Sequence, residues 1–125
     1  MRISLDIETA LYEKLITDGY SASAHAVPAT LESDFPHIHV VRTGGFESDM
    51  VIETNNVDVD VYAENAADAM EQACQLCSWV RDLAGDWCYT AEITTLPYNN
   101  PDPRHPSIGR ATLKAQLLTR TKERG

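Results

Sequence analysis

Basic side chains are scarce through most of this chain. Residues 1–103 carry 4 Lys/Arg against 18 Asp/Glu, and only residues 104–125, with 6 against 1, reverse the balance. So acidic a body repels a phosphate backbone, which excludes non-specific nucleic-acid binding except through the last segment. Long apolar runs are missing as well. Nothing approaches the roughly 20 consecutive apolar residues that span a bilayer. The opening Met1-Arg2-Ile3-Ser4-Leu5-Asp6 is acidic by its sixth residue, without the apolar stretch and small-residue cleavage site of a secretory signal. A soluble protein made in the cytoplasm is expected. Cysteine is limited to Cys74, Cys77 and Cys88, too few and odd in number for a disulfide framework, and free thiols suit a reducing compartment. Catalytic signatures are lacking too: there is no G-x-S-x-G elbow, P-loop or G-x-G-x-x-G run, and Gly44-Gly45 alone reads as a turn.

What is present suits one domain with one core: 125 residues, 43% hydrophobic and 23% charged, with a net charge of −9. Asp6 can cap a helix over residues 6–18, in which Ile7, Leu11 and Leu15 recur at i, i+4 and i+8 and Gly19 supplies a left-handed C-cap. Ala26-Val27 reads as a short strand before Pro28. His37-Ile38-His39-Val40-Val41-Arg42 alternates as a strand, and Thr43-Gly44-Gly45 should then turn the chain. Residues 55–63 make the clearest strand, with Val57, Val59 and Val61 facing one way and Asp58, Asp60 and Tyr62 the other.

Asn65, with Asp68 three residues on, resembles a capping box and should open a long helix over residues 65–84. Its apolar stripe is Ala66, Ala69, Met70, Ala73, Leu76, Cys77, Val80 and Ala84. Residues 87–96 are strand-like. Four prolines within residues 97–106 exclude helix and central strand and predict a projecting loop. Residues 110–119 alternate again, Ala111, Leu113, Ala115 and Leu117 against Arg110, Thr112, Lys114 and Gln116. The expected fold is α+β, a mostly antiparallel sheet packed against the long helix and a short N-terminal one.

Each chemical motif has a plainer reading beside it. Cys74-x-x-Cys77 would need two more zinc ligands, for which His37, His39 and Cys88 are candidates. Its spacing falls inside a helix, however, and Cys77 lies in the apolar stripe, so a core thiol without metal is expected. Asp58 and Asp60 share a strand face and could form an acid/base or metal pair. Arg110 and Lys114 at matching alternate positions of the last strand read more simply as their cross-strand or cross-subunit partners. Trp79 falls on the flank of the helix stripe, placed either for an interface or beneath the Pro-rich loop. No cofactor and no catalytic residue is expected.

The order of features resembles a known family. A short helix, a strand ending in Arg42-Thr43-Gly44-Gly45, Asp49 shortly after, Val57-Asp58-Val59-Asp60-Val61-Tyr62-Ala63 leading into an Ala-rich helix, the Asn100-Pro101-Asp102-Pro103 loop and an alternating last strand together resemble the tail terminator proteins of long-tailed phages, especially those infecting actinobacteria. The resemblance implies a virion protein at the head-proximal end of the tail. Six copies would form a ring that caps the tail tube, stops its polymerisation and offers a docking surface to the head connector. Its partners would be itself, the major tail tube protein and the neck protein, with DNA only passing through the lumen and no membrane. Candidate contact residues are Arg42, Asp58, Asp60, Trp79, Arg104, Arg110, Lys114, Arg120, Lys122 and Arg124. The basic end is expected to meet an acidic neighbour, so that deleting residues 119–125 should leave the monomer folded. A neck or head-completion protein is the nearest alternative, and an acidic inhibitor or adaptor comes from a different class.

Overall fold

A computed structural model describes residues 1–28 and 34–123. Strand β1 (Arg2–Ile3) precedes helix α1 (Ile7–Thr17), and β2 (Ser21–Ala24) is followed by β3 (His37–Glu47) and β4 (Ile52–Ala63). Helix α2 (Ala66–Arg81), β5 (Cys88–Asn99), β6 (Gly109–Arg120) and β7 (Lys122–Glu123) complete the described order. Five strands form one sheet in the order β2-β3-β4-β6-β5, antiparallel except for β2 beside β3. β1 and β7 pair separately, Arg2 opposite Glu123. The α+β class is as expected, but α2 has sixteen residues rather than the twenty of a long helix.

Alternation decides which face of the sheet is buried. Val57, Val59 and Val61 of β4 and Ala111, Leu113, Ala115 and Leu117 of β6 are at most 2% exposed. Both helices cover this one face, α1 through Ile7, Leu11 and Leu15 and α2 through Ala69, Ala73, Leu76, Cys77 and Val80. Each fully buried Leu or Val contributes about 1.5–3 kcal/mol. Ala66 and Ala84, expected in the α2 stripe, are exposed, because the helix begins at Ala66 and stops at its Asp82 C-cap. Asn65 does cap it, accepting from the Asp68 N–H at 2.8 Å. Asp6 caps α1 in the same way through Thr9, and Gly19 takes a φ of +92° as the chain leaves that helix.

Several expected boundaries move for local reasons. The second strand is Ser21–Ala24, ahead of Ala26-Val27. Thr43-Gly44-Gly45 does not turn the chain: β3 runs through it with a register shift between Arg42 and Gly44, and the hairpin turns at residues 48–51. Asp49 closes that turn by accepting from the Val51 and Ile52 N–H groups at 2.7 and 2.9 Å. Gly45 is needed for another reason, since a Cβ there would lie 2.2 Å from the Thr54 carbonyl oxygen of β4 at a φ of +151°. Pro97 belongs to β5, which tolerates it as an edge strand. The Pro-rich loop does not project: it folds back over the sheet, with Asp102 only 2% exposed.

Candidate interface on the open sheet face and its edges

Because both helices lie on one face, the other is left to polar side chains, arranged by strand register into rows. Asp58 opposes Lys114, whose Nζ donates to both carboxylate oxygens at 2.9 and 3.0 Å. That hydrogen bond raises the lysine pKa, against the smaller effect of burial. Asp60 accepts from Thr112 Oγ1 at 2.7 Å, and Gln116 donates to Asn56 at 3.1 Å. Asp58 and Asp60 therefore face away from the valine side, as alternation requires, and both find partners within the chain.

At one end of this face a carboxylate organises four groups. Asp102 accepts from Tyr62 OH at 2.9 Å, from the Arg104 backbone N–H at 3.0 Å and from Arg104 Nε at 3.3 Å, with Arg110 Nη1 at 3.5 Å. Burial alone would raise the Asp102 pKa; the Arg104 and Tyr62 hydrogen bonds and the Arg110 charge outweigh it and hold the carboxyl at about 2. Arg110 also donates to the Asn100 carbonyl at 2.6 Å and lies over the Tyr62 ring at 5.8 Å. Tyr62 is 0% exposed, so it is sealed by the loop rather than left wet. Arg110 is largely enclosed by these contacts, whereas Arg104, although bonded to Asp102, keeps a side chain that is 72% exposed.

Other expected contact residues also have internal partners. Trp79 donates its N–H to Asp18 at 2.8 Å and meets the Tyr20 ring edge to face at 6.3 Å, so it ties α2 to the end of α1 instead of lying beneath the loop. Arg42 donates to Asn55 at 2.7 Å, and Asn55, 2% exposed, passes a hydrogen bond to Thr119 at 2.8 Å. The R-T-G-G run thus has a structural task within the hairpin. Arg120 stacks over Tyr89 at 5.5 Å. Lys122 is exposed on β7, and Arg124 lies outside the described residues.

Cys77 is buried toward the sheet while Cys74 is exposed. Burial raises the Cys77 pKa and pushes the Cys88 thiol up to about 11, the behaviour of unreactive core thiols. Cys88 lies in the core and His37 and His39 on the opposite sheet face, so the ligands considered for zinc are not brought together. Among the described residues no group of three or more His, Cys, Asp or Glu is placed to hold a metal, and no helix is long and apolar enough to cross a membrane.

The edges of the sheet were not read from sequence. β2 pairs only with residues 37–40 of β3, so among the described residues nothing pairs with the outer edge of residues 41–47. β5 is the opposite edge. Each open edge carries a large exposed apolar side chain, Phe46 at 62% on β3 and Leu96 at 66% on β5, with Met50 at 74% beyond the first. Unpaired edges are ready templates for another chain. A groove of about 540 Å³ between α1 and the β6–β7 end mixes Lys14, Arg120 and Lys122 with Glu13, Asp86 and Glu123 around Trp87. Compared with known proteins, the chain matches no family model and has no significant match among curated proteins.

Proposed function

We propose that this protein is a structural subunit that closes into a ring with copies of itself, and that the ring is the tail terminator of a long-tailed phage. The observation that carries the reading is the pair of open sheet edges, each bearing an exposed apolar residue, on opposite sides of one sheet. Different surfaces on the two sides make a head-to-tail contact, which yields a ring when the rotation closes. Strand direction favours it too. β5 is antiparallel to β6, and β6 shares the direction of β3, so β5 of one copy would lie antiparallel to β3 of the next in a continuous sheet. The order of sequence features resembling tail terminators supplies the virion setting, with the tail tube and the neck protein as partners.

The sedimenting mass of the purified chain tests the reading. A species near six times 13.9 kDa is expected, reverting to monomer in a Phe46→Asp, Leu96→Asp double variant that keeps its circular dichroism. A wild-type chain that stays monomeric at all concentrations, alone and with tube protein, sinks it. Particles made without the protein should carry overlong or unjoined tails; unsealed heads on tails of normal length would move the assignment to the neck.

A further inference from the structure

β2 is poorly held by its own residues. Only Ala22 and Ala24 face the core, both half-buried, and an alanine side chain adds little burial. On the open face its serines meet two histidines of β3, residues 37 and 39, that are 3% and 6% exposed. Asp34 lies 2.7 Å from Ser21 Oγ, which lies 2.8 Å from His37 Nδ1; His37 Nε2 lies 2.8 Å from Ser23 Oγ, which lies 2.7 Å from His39 Nδ1.

One carboxylate sets the direction of every proton in this chain. Asp34 can only accept, so Ser21 donates to it and accepts from His37 Nδ1–H. A neutral His37 then offers its Nε2 lone pair, Ser23 gives it the single hydroxyl proton, and Ser23 accepts from His39 Nδ1–H. A second proton on His37 reverses the order at Ser23. Both ring nitrogens become donors, Ser23 must turn its own proton away, and a charge enters a site from which water is largely excluded. The charged groups around the pair are Asp34 before β3, Glu8 of α1, Asp60 of β4 and Arg104 of the loop. Burial outweighs the carboxylates and holds both imidazoles below the usual histidine range.

We propose that the Asp34–Ser21–His37–Ser23–His39 chain is a proton-operated clasp, keeping β2 on the sheet at neutral pH and releasing it on acidification. Release uncovers residues 37–40 of β3, continuous with the open edge of residues 41–47, and so lengthens the strand edge available to another chain. The clasp is independent of the ring reading.

Amide hydrogen exchange on the whole chain at about pH 7 and about pH 5, corrected for intrinsic rates, tests it. Residues 21–24 and the facing amides of residues 37–40 should lose protection roughly tenfold or more at the lower pH while β4, β6 and α2 keep theirs. Ser23→Ala should open β2 already at neutral pH. A His37→Gln, His39→Asn double variant, which has no group left in the clasp that titrates near pH 6.5, should show β2 protection that does not change with pH. The clasp is refuted if wild-type β2 stays protected at the lower pH, if it opens only together with β4 and β6, or if the double variant still opens on acidification.

Discussion

At the scale of single residues, one charge pair of the polar face, Asp58 with Lys114, is legible in the alternation of the two strands, and a second is not. Asp102 lies in a Pro-rich run that reads as an exposed loop, yet it is the acceptor around which Tyr62, Arg104 and Arg110 gather. Its folded pKa of about 2 lies below the ordinary 3.8. The folded state therefore binds this proton less well than the unfolded chain, and the stabilisation is complete above about pH 4 and is lost as pH falls through about 2. Asp102→Asn should cost about 1–3 kcal/mol near neutral pH, and the gap between variant and wild type should close across that acid window. Urea titrations at a series of pH values would show it. A constant gap down to the bottom of the window would mean that the carboxylate charge is not what holds the loop.

At the scale of elements, α2 depends on its start. The Asn65 side chain satisfies the Asp68 N–H, and Gly109 of β6 fits against the same residue so closely that a Cβ would sit 2.3 Å from the Asn65 carbonyl atoms. Asn65→Ala should cost about 0.5–2 kcal/mol, seen as a lower urea midpoint with an unchanged slope. Elements with a strong period were legible before the structure: the α1 face, the inward valines of β4 and the alternation of β6 all follow from side-chain geometry. What sequence could not supply is pairing. Ser21 and Ser23 alternate as visibly as His37 and His39, but only the parallel register of β2 on β3 brings them together. Likewise the Thr43-Gly44-Gly45 run signals positive φ without saying whether the chain turns or bulges. Edges were illegible for a related reason, since an edge is defined by the neighbour a strand lacks.

On the scale of the whole molecule, charge and chain ends are placed differently from expectation. Eight acids, Asp6, Glu8, Glu13, Asp18, Glu64, Asp68, Glu71 and Asp82, against Lys14 and Arg81, lie on or beside the two helices, while on the open sheet face Asp58 is matched by Lys114 and Asp102 by Arg104 and Arg110. The acidic side is thus the helical side. The end of the chain is no free arm either. Thr119 is 0% exposed and accepts from Asn55, Arg120 N–H reaches the Trp87 carbonyl at 2.9 Å, and Thr121 bonds to the Val51 and Met50 carbonyls at 3.0 and 2.9 Å. Deleting residues 119–125 should therefore destabilise the monomer by roughly 2 kcal/mol or more, at about 0.5–1.5 kcal/mol per hydrogen bond. Thermal unfolding of the truncated chain would measure it, and an unchanged midpoint would restore the expectation that the monomer does not need these residues.

The pairing of β1 with β7 also sets an order in time. Arg2 donates to Thr121 Oγ1 at 2.7 Å and to Glu123 at 2.9 Å, partners that lie 119 and 121 residues further along the chain. A ribosome adding roughly 5–20 residues per second delivers them on the order of ten seconds after Arg2. β6, which joins β4 to β5, arrives in the same final stretch. Until then β4 has an unpaired side and β5 has no place in the sheet, so a nascent chain cannot present the two finished edges. Translation itself therefore delays the two finished edges of the sheet until β6 has been made.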